Sequence, residues 1–101
     1  MAQTVLQPLR ALVERRRGEI RAAAANHRGR RIAVFGSVAR GEEAQGSDLD
    51  FLVEFEPGSS LFDLVRLQDE LQALLDHRVD VVSLGGLLPR DDDVRQDAVW
   101  L

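Results

Sequence analysis

The stretch FGSVARGEEAQGSDLDFLV, residues 35–53, decides how this chain is interpreted. From Asp48 on, and continuing two residues past this stretch to Phe55, the sequence alternates strictly. Asp48, Asp50, a leucine and a glutamate lie on one side and four apolar side chains on the other. This period of two predicts a β-strand with one buried face. Carboxylates two residues apart on a strand point the same way, with Cα atoms roughly 6 to 7 Å apart. Asp48 and Asp50 can therefore reach one shared cation.

A glycine-serine bend, Gly36-Ser37, begins the same stretch. The apolar run Arg31–Phe35 before it predicts a buried strand, and Val38–Arg40 after it predicts one short helix, followed by a loop over Gly41–Ser47. A bend between a strand and a helix exposes backbone N–H groups, the glycine allows close approach, and the serine hydroxyl adds a donor. The bend is therefore predicted to bind phosphate.

Towards the N-terminus, apolar residues recur at helical spacing from Val5 to Asn26, which predicts an amphipathic first helix. Gly18 lies inside this helix and marks a possible kink or break. Gly29 is expected to stop the helix at its C-terminal end.

Towards the C-terminus, Ser60 followed by Asp63 is a capping-box pattern that predicts a further helix covering the sheet. A third strand over Arg78–Ser83 and a glycine-containing loop should follow. Pro89 then opens a final helix, with the acidic run Asp91–Asp93 at its positive end. The expected buried face of the helix after Ser60 consists of Leu61, Leu64, Val65, Leu71, Leu74 and Leu75, and that of the final helix of Val94, Ala98 and Leu101.

The composition indicates one small α/β domain spanning residues 1–101. Of its residues, 45% are hydrophobic and 30% charged, which is ordinary for a soluble protein. With 101 residues, the chain is too short to form two hydrophobic cores. No run approaches the roughly 18 apolar residues that a membrane helix needs, and the start does not look like a secretion signal. We expect a cytoplasmic protein that does not associate with membranes.

Asp80 supplies a third candidate carboxylate. It lies in the middle of the third predicted strand among valines, where an unpaired buried charge would cost several kcal/mol. With no cysteine in the chain, carboxylates and two histidines are the available metal ligands, which favours Mg²⁺. If the third strand lies beside the second, Asp48, Asp50 and Asp80 would form a pocket for one or two Mg²⁺ ions. The alternative for Asp48 and Asp50 alone is a solvated edge strand.

The charges bear on the class of substrate. The net charge is −4, and all 13 basic residues are arginines, so the chain is not expected to bind nucleic acid on its own. A long polymer substrate would need another subunit. Because the chain has no tyrosine, any tyrosine that accepts a transferred group must lie on a different chain.

Several residues keep more than one interpretation. Arg40 can contact a phosphate or pair with Glu42 or Glu43. A solvated helix face is favoured for Arg15–Arg17 over a docking or RNA-facing patch. Capping is expected for Asp91–Asp93, no role is assigned to His27 or His77, and Trp100 could lie in the core or at an interface.

Residues 35–41 and 47–53 together resemble the signature of DNA polymerase β-like nucleotidyltransferases, in which Gly-Ser is followed by ten residues and then Asp-x-Asp. In detail the chain is most similar to the minimal nucleotidyltransferases, the MntA-type antitoxins of HEPN/MNT toxin–antitoxin pairs. The resemblance extends through Asp80 to residues 98–101. It implies a polymerase β-like fold, a small mixed β-sheet of three or more strands with about four helices.

The resemblance also implies a site and a partner. Asp48, Asp50 and Asp80 would be the catalytic and metal-binding residues holding Mg²⁺ and ATP. The nucleotide-binding residues would be Gly36, Ser37, Arg40 and Ser47. Such antitoxins transfer AMP from ATP to a tyrosine of a HEPN RNase toxin, which implies a hetero-oligomer. Two alternatives stay open: an antitoxin that neutralises by binding alone, and a catalytic subunit that modifies RNA ends or a small molecule.

Overall fold

A computed structural model describes residues 8–42 and 46–101. The strands form one mixed sheet in the order β3-β2-β1-β4, in which β1 is antiparallel to β2 and β4 while β2 is parallel to β3. This confirms the expected fold class. The helices are α1 (Pro8–Arg15), α2 (Arg17–Asn26), α3 (Gly36–Arg40), α4 (Leu61–Leu75) and α5 (Asp92–Asp97); the strands are β1 (Gly29–Phe35), β2 (Leu49–Phe55), β3 (Val79–Ser83) and β4 (Val99–Trp100); 3-10 turns span Leu84–Gly86 and Pro89–Asp91.

The main core lies between one face of the sheet and the helices α2 and α4. Phe51 and Val53 of β2, Ile20 of α2 and Leu67 of α4 are fully buried there. Burial of each such side chain contributes about 1.5 to 3 kcal/mol, so this layer is the main source of stability. The alternation expected along β2 is confirmed for its apolar side.

The opposite face of the sheet is covered only in its middle. Leu52 lies on the side predicted to be polar, yet it is fully buried next to Ala33 of β1. The segment after β3 crosses this face, with the turn Leu84–Gly86 against β2 and α5 against β1. Asp50 and Glu54, which flank Leu52 on this face, therefore lie at the edge of the covered area and stay partly exposed.

The predicted first helix is divided in the described region. The break falls at Arg16, with φ −103° and ψ 14°, and not at Gly18 as expected. Hydrogen bonds from Arg16 N to Leu12 O and from Ile20 N to Arg16 O bridge the break, so the chain keeps its direction. Gly18 is tolerated because it is exposed and nothing packs against its missing side chain. The predicted residues 5–7 lie outside the described residues.

Gly29 does not stop the helix as predicted. The left-handed residue after α2 is Arg28, with φ 65°, while Gly29 is already the first residue of β1, two residues before the predicted start. A Cβ at Gly29 would lie 2.9 Å from Ala24 O and 3.0 Å from Val53 Cγ1. Close packing of α2 onto the sheet therefore requires glycine here.

The capping box at the start of α4 is confirmed. The Ser60 side chain accepts a hydrogen bond from Phe62 N at 3.2 Å, and Asp63 Oδ2 accepts one from Ser60 N at 2.8 Å. The predicted apolar face is wrong in part, because Leu61 and Val65 are 73% and 44% exposed. These two side chains point roughly 80 to 120° away from the buried line along the helix. The buried line is Leu67, Leu71 and Leu75.

The C-terminal end also departs from the prediction. Pro89–Asp91 forms a 3-10 turn before α5, and residues 99–100 form β4 in place of the expected continuing helix. Val99 and Trp100 pair with Val34 and Ala33 of β1, and two residues are too few to show a strand period. Asp91 acts as a cap, as expected, since its Oδ2 accepts from Leu88 N at 2.8 Å. None of the helices within residues 8–42 and 46–101 has the length and apolar character of a membrane span.

Candidate active site

Asp50 and Asp80 are direct neighbours on adjacent strands. The parallel register of β2 and β3 pairs them, so both side chains leave the same face of the sheet. Asp50 is half-buried, whereas Asp80 is exposed because β3 is an edge strand. The expectation that Asp80 is a buried charge among valines is therefore wrong: Val79 and Val81 face the core, and Asp80 faces solvent.

Asp48 lies one residue before β2 begins. Its side chain is 34% exposed, and its Oδ1 lies 3.8 Å from Nε of Arg78, the residue just before β3. The strand predicted from residue 48 starts at Leu49, and the strand predicted from residue 78 starts at Val79. The ends of these two neighbouring strands therefore bring Asp48 close to the other two aspartates.

The electrostatics of Asp50 report this proximity. Burial raises the pKa of Asp50 above its ordinary value, the charges of Asp80 and Asp48 raise it further, and Arg40 lowers it. A cation would relieve the repulsion within such a cluster, and carboxylate oxygens suit a hard divalent ion. Among residues 8–42 and 46–101, no three carboxylate or imidazole side chains yet form a complete metal-ligand group. Convergence of all three on one ion stays a prediction.

The glycine-serine bend lies directly against Asp50. Phe35, the last residue of β1, pairs with Asp50, so the chain turns into α3 at that carboxylate. Gly36 has φ +78°, and a Cβ there would lie 2.6 Å from Asp50 Oδ2. Glycine is thus required both by the backbone and by the space. The bend is therefore in contact with Asp50, one of the three aspartates predicted to form the other half of the site.

Arg40 and Ser47 flank this centre. Arg40 Nε donates to Glu42 Oε1 at 2.9 Å, and its NH1 pairs with Asp97 of α5; both bonds raise the pKa of Arg40. The alternative pairing with Glu42 is thus present, while Glu43 lies outside the described residues. Ser47 precedes Asp48, and its carbonyl accepts a hydrogen bond from His77 Nε2 at 2.7 Å. The nucleotide contacts of Ser37, Arg40 and Ser47 remain predictions.

The turn between α4 and β3 has no role predicted from the sequence, yet it holds the loop that carries Asp48. A carbonyl can only accept, so Nε2 of His77 carries the proton in its bond to Ser47. Leu49 N donates to Arg78 O at 3.0 Å. The usable sequence signal is position, because residues just before β3 must lie beside residues just before its parallel neighbour β2.

The mixed sheet, the paired aspartates and the glycine bend against them define a nucleotidyltransferase. The family model for the nucleotidyltransferase domain matches residues 17–99, and the chain belongs to that family of enzymes. The matched range contains all seven residues predicted for the site.

The most informative relatives fall into the same family. The protein adenylyltransferase MntA of Thermococcus cleftensis is 48% identical over 58 residues, which cover 57% of this chain and 59% of that protein. A solved structure described as a minimal nucleotidyltransferase is 45% identical with a TM-score of 0.82, and the match covers 91% of this chain and 95% of the other. The chain thus matches only about three-fifths of the length of the Thermococcus relative.

The fold also recurs in a solved complex of an MNT antitoxin with the tri-AMPylated HEPN toxin of Shewanella oneidensis. That match has a TM-score of 0.65 and 19% identity, and covers 94% of this chain and 71% of the other. At this identity the similarity shows a shared fold alone.

Proposed function

We propose that this chain is a Mg²⁺-dependent protein adenylyltransferase that transfers AMP from ATP to a partner protein, a HEPN-type toxin, and acts as its antitoxin. The observation that carries this proposal is the contact between the glycine bend and Asp50, whose carboxylate fills the space that a Cβ of Gly36 would need. Asp80 is the neighbour of Asp50 in the register of β2 and β3. Both phosphate-binding backbone and metal-binding carboxylates are needed for nucleotidyl transfer.

The donor set fits Mg²⁺. The raised pKa of Asp50, caused by burial and by the Asp80 and Asp48 charges, indicates negative charge in excess of the local cations. Bound Mg²⁺ would neutralise triphosphate charge and act as a Lewis acid at the α-phosphate. Asp48 and Asp50 are the proposed ligands, with Asp80 as the third carboxylate, and at least one side chain would have to rotate to complete the set.

The remaining residues bind and orient the reactants. Backbone N–H groups at Gly36-Ser37 and the guanidinium of Arg40 are proposed to hold the phosphates for in-line attack. Asp80, the most exposed of the three carboxylates, is proposed to take the proton of the acceptor hydroxyl. The acceptor oxygen forms a bond to the α-phosphorus, and pyrophosphate leaves with the electrons of the broken P–O bond.

The acceptor is proposed to be a tyrosine of another chain. This chain has no tyrosine, and the related fold from Shewanella oneidensis occurs with an AMPylated HEPN toxin. The Thermococcus relative is named a protein adenylyltransferase, which favours AMP and a protein acceptor over RNA ends or a small molecule. We further propose that the reaction takes place in the cytoplasm.

The test is transfer of label from α-labelled ATP to the product of the neighbouring open reading frame. Wild type is compared with Asp48→Ala plus Asp50→Ala, and with a control that removes two exposed acidic residues elsewhere, Asp69→Ala plus Asp92→Ala. The control keeps the net charge equal to that of the site variant.

The proposal predicts label on the partner with wild type and with the control, none with the site variant, and none when EDTA removes the metal. Neutralisation of the partner by all three proteins without any label would support an antitoxin that acts by binding alone. Label on RNA or a small molecule and none on protein would support a catalytic subunit that modifies RNA ends or a small molecule.

A further inference from the structure

A second pocket lies at the far end of β1 from the aspartates. It is a cavity of about 320 Å³ between the C-terminal half of α2, the start of β1 and the end of the chain, and its walls include Arg21, Arg30, Arg31 and Trp100. Gly36 lies six positions after Arg30, which is roughly 20 Å along a strand. None of the seven residues of the candidate active site lines this pocket.

The topology of the sheet creates this opening. β4 is only two residues long and pairs with Ala33 and Val34, so it leaves the start of β1 without a strand on that side. Besides Arg21, the wall contributed by α2 contains Ala24 and Ala25, whose small side chains leave the cavity open. Its size falls at the lower end of the range of small-molecule sites, about 300 to 1,000 Å³.

Positive charge is concentrated at the pocket. Arg31 is neutralised by Glu54, with Nε 2.7 Å from Oε1. The bond from Arg31 lowers the pKa of Glu54, and the positive charge of Arg30 lowers it further. Within residues 8–42 and 46–101, the side chains of Arg21 and Arg30 form no ion pair or hydrogen bond with another residue. Among the described residues, these two guanidinium groups thus have no bonded carboxylate, although the net charge of the chain is −4.

The pocket also has a flat aromatic wall. The guanidinium carbon of Arg31 lies 4.0 Å from the centre of the Trp100 ring, which fixes both planar groups against each other. Free guanidinium groups match the geometry of phosphate, and stacked arginine and indole surfaces match a nucleobase. A nucleotide is the ligand that has both of these features.

We propose that this arginine–tryptophan pocket, formed by Arg21, Arg30, Arg31 and Trp100, binds a nucleoside phosphate independently of the transfer site. Its phosphate contacts Arg21 and Arg30, and its base lies against the Arg31–Trp100 pair. Two sources share this chemistry: a free nucleotide, or one nucleotide of a single-stranded RNA. Binding in this pocket requires neither the metal nor the aspartates.

The chain offers a direct probe, because Trp100 is its only tryptophan. Fluorescence excited near the red edge of indole absorption, where adenine does not absorb, is followed while AMP is added in EDTA. EDTA removes any Mg²⁺-dependent binding at the aspartates. A parallel titration uses a short oligoadenylate, and a third uses inorganic phosphate.

We expect a saturable change in Trp100 fluorescence with AMP, and affinity about tenfold weaker in Arg21→Gln plus Arg30→Gln. The matched control, Arg15→Gln plus Arg90→Gln, removes the same charge from exposed positions outside the pocket and should bind as wild type does. Binding of the oligonucleotide but not of AMP would identify RNA as the source. No saturable change with either nucleotide would overturn the proposal, as would equal weakening in both double variants, or equal binding of inorganic phosphate. Thermal unfolding followed by circular dichroism checks that each variant is folded.

Discussion

Gly36 is where the backbone of the bend and the carboxylate of Asp50 meet. Its φ is +78°, and only 2.6 Å would separate an added Cβ from Asp50 Oδ2, so there are two separate demands for glycine. The first demand is conformational and the second is steric. A substitution here should therefore damage both stability and the site.

Gly36→Ala is predicted to lower the free energy of unfolding by about 1 to 3 kcal/mol and to abolish nucleotide transfer, because Asp50 must move. Chemical denaturation and the label-transfer assay measure the two effects. The control is Gly58→Ala, which has φ +87° but has only the end of the Arg28 side chain within 4 Å, at 3.9 Å. The control should lose stability and keep activity. Full activity in Gly36→Ala would contradict the contact between the bend and Asp50.

The protonation of Asp50 should make the stability of the folded state depend on pH. Its pKa is raised in the folded state by burial and by Asp80 and Asp48, so ionisation of Asp50 disfavours folding. The folded state is therefore relatively more stable below the unfolded pKa, and this advantage is lost as pH rises through the folded pKa. Asp50→Asn removes the charge and should raise Tm at pH 7 in EDTA by on the order of a few degrees.

Differential scanning calorimetry across pH measures this difference. It should shrink as pH falls through the folded pKa and vanish below the unfolded value of about 3.9, where the carboxyl is protonated in both states. Mg²⁺ should raise the Tm of wild type but not of Asp50→Asn. A variant less stable than wild type at pH 7 in EDTA would show that Asp50 is stabilised in the fold by contacts other than those described.

At the scale of elements, the turn between α4 and β3 positions the loop that carries Asp48. His77 donates to the carbonyl of Ser47, while Arg78 contacts both Asp48 and Leu49. His77→Ala is predicted to lower kcat/KM for transfer by about 10- to 100-fold through misplacement of Asp48. The reason is geometric, since the histidine itself is not proposed to touch the nucleotide.

Two further variants separate positioning from stability. His77→Gln keeps an N–H donor for the Ser47 carbonyl and should recover much of the activity. His27→Ala removes the other histidine, which bonds Glu70 at 2.7 Å on α4, and should leave transfer unchanged. Equal activity of His77→Ala and wild type would contradict the positioning role.

The cap of α4 offers a test of stability alone. Ser60 accepts from Phe62 N and donates its own N–H to Asp63, so both partners of a capping box are present. Ser60→Ala should lower the free energy of unfolding by about 1 kcal/mol. Urea denaturation measures the loss, and the transfer rate below the unfolding transition should not change. A loss of activity in folded Ser60→Ala would show that α4 is coupled to the site.

How far the sequence predicts each element depends on the length of its pattern. The alternation of β2 and the capping box of α4 are local signals. The structure confirms the capping box and the buried apolar side of β2, whereas Leu52 on the other side is buried as well. The break at Arg16 and the left-handed Arg28 depend on how α2 packs onto the sheet, which a single-sequence pattern does not contain. β4 is two residues long and exists through its pairing with Ala33 and Val34, so it gives no period of its own.

The same distinction holds for the site. Asp48, Asp50 and Gly36 follow from spacing, since the chain between them is short and the strand fixes direction. The predicted burial of Asp80 is wrong, because the sequence does not show that β3 is an edge strand. His77 and Asp97 come from other elements, so their contacts with Ser47 and Arg40 depend on the tertiary structure.

In the molecule as a whole, two regions of opposite charge lie at opposite ends of β1. The aspartates lie where β1 ends and β2 and β3 begin, and the arginine–tryptophan pocket lies where β1 begins. A chain of net charge −4 thereby keeps a local cation-binding end and a local anion-binding end. The two ends can be removed independently by mutation, which allows the two proposals to be tested apart.

Convergence of the three aspartates on one cation can be seen by the anomalous scattering of Mn²⁺, used in place of Mg²⁺, in crystals grown with a non-hydrolysable ATP analogue. A peak is expected about 2.1 Å from carboxylate oxygens of Asp48 and Asp50, with Asp80 facing the same ion and the analogue's phosphates against Gly36-Ser37. Metal density at the acidic run Asp91–Asp93, or phosphates bound away from the glycine bend, would contradict it.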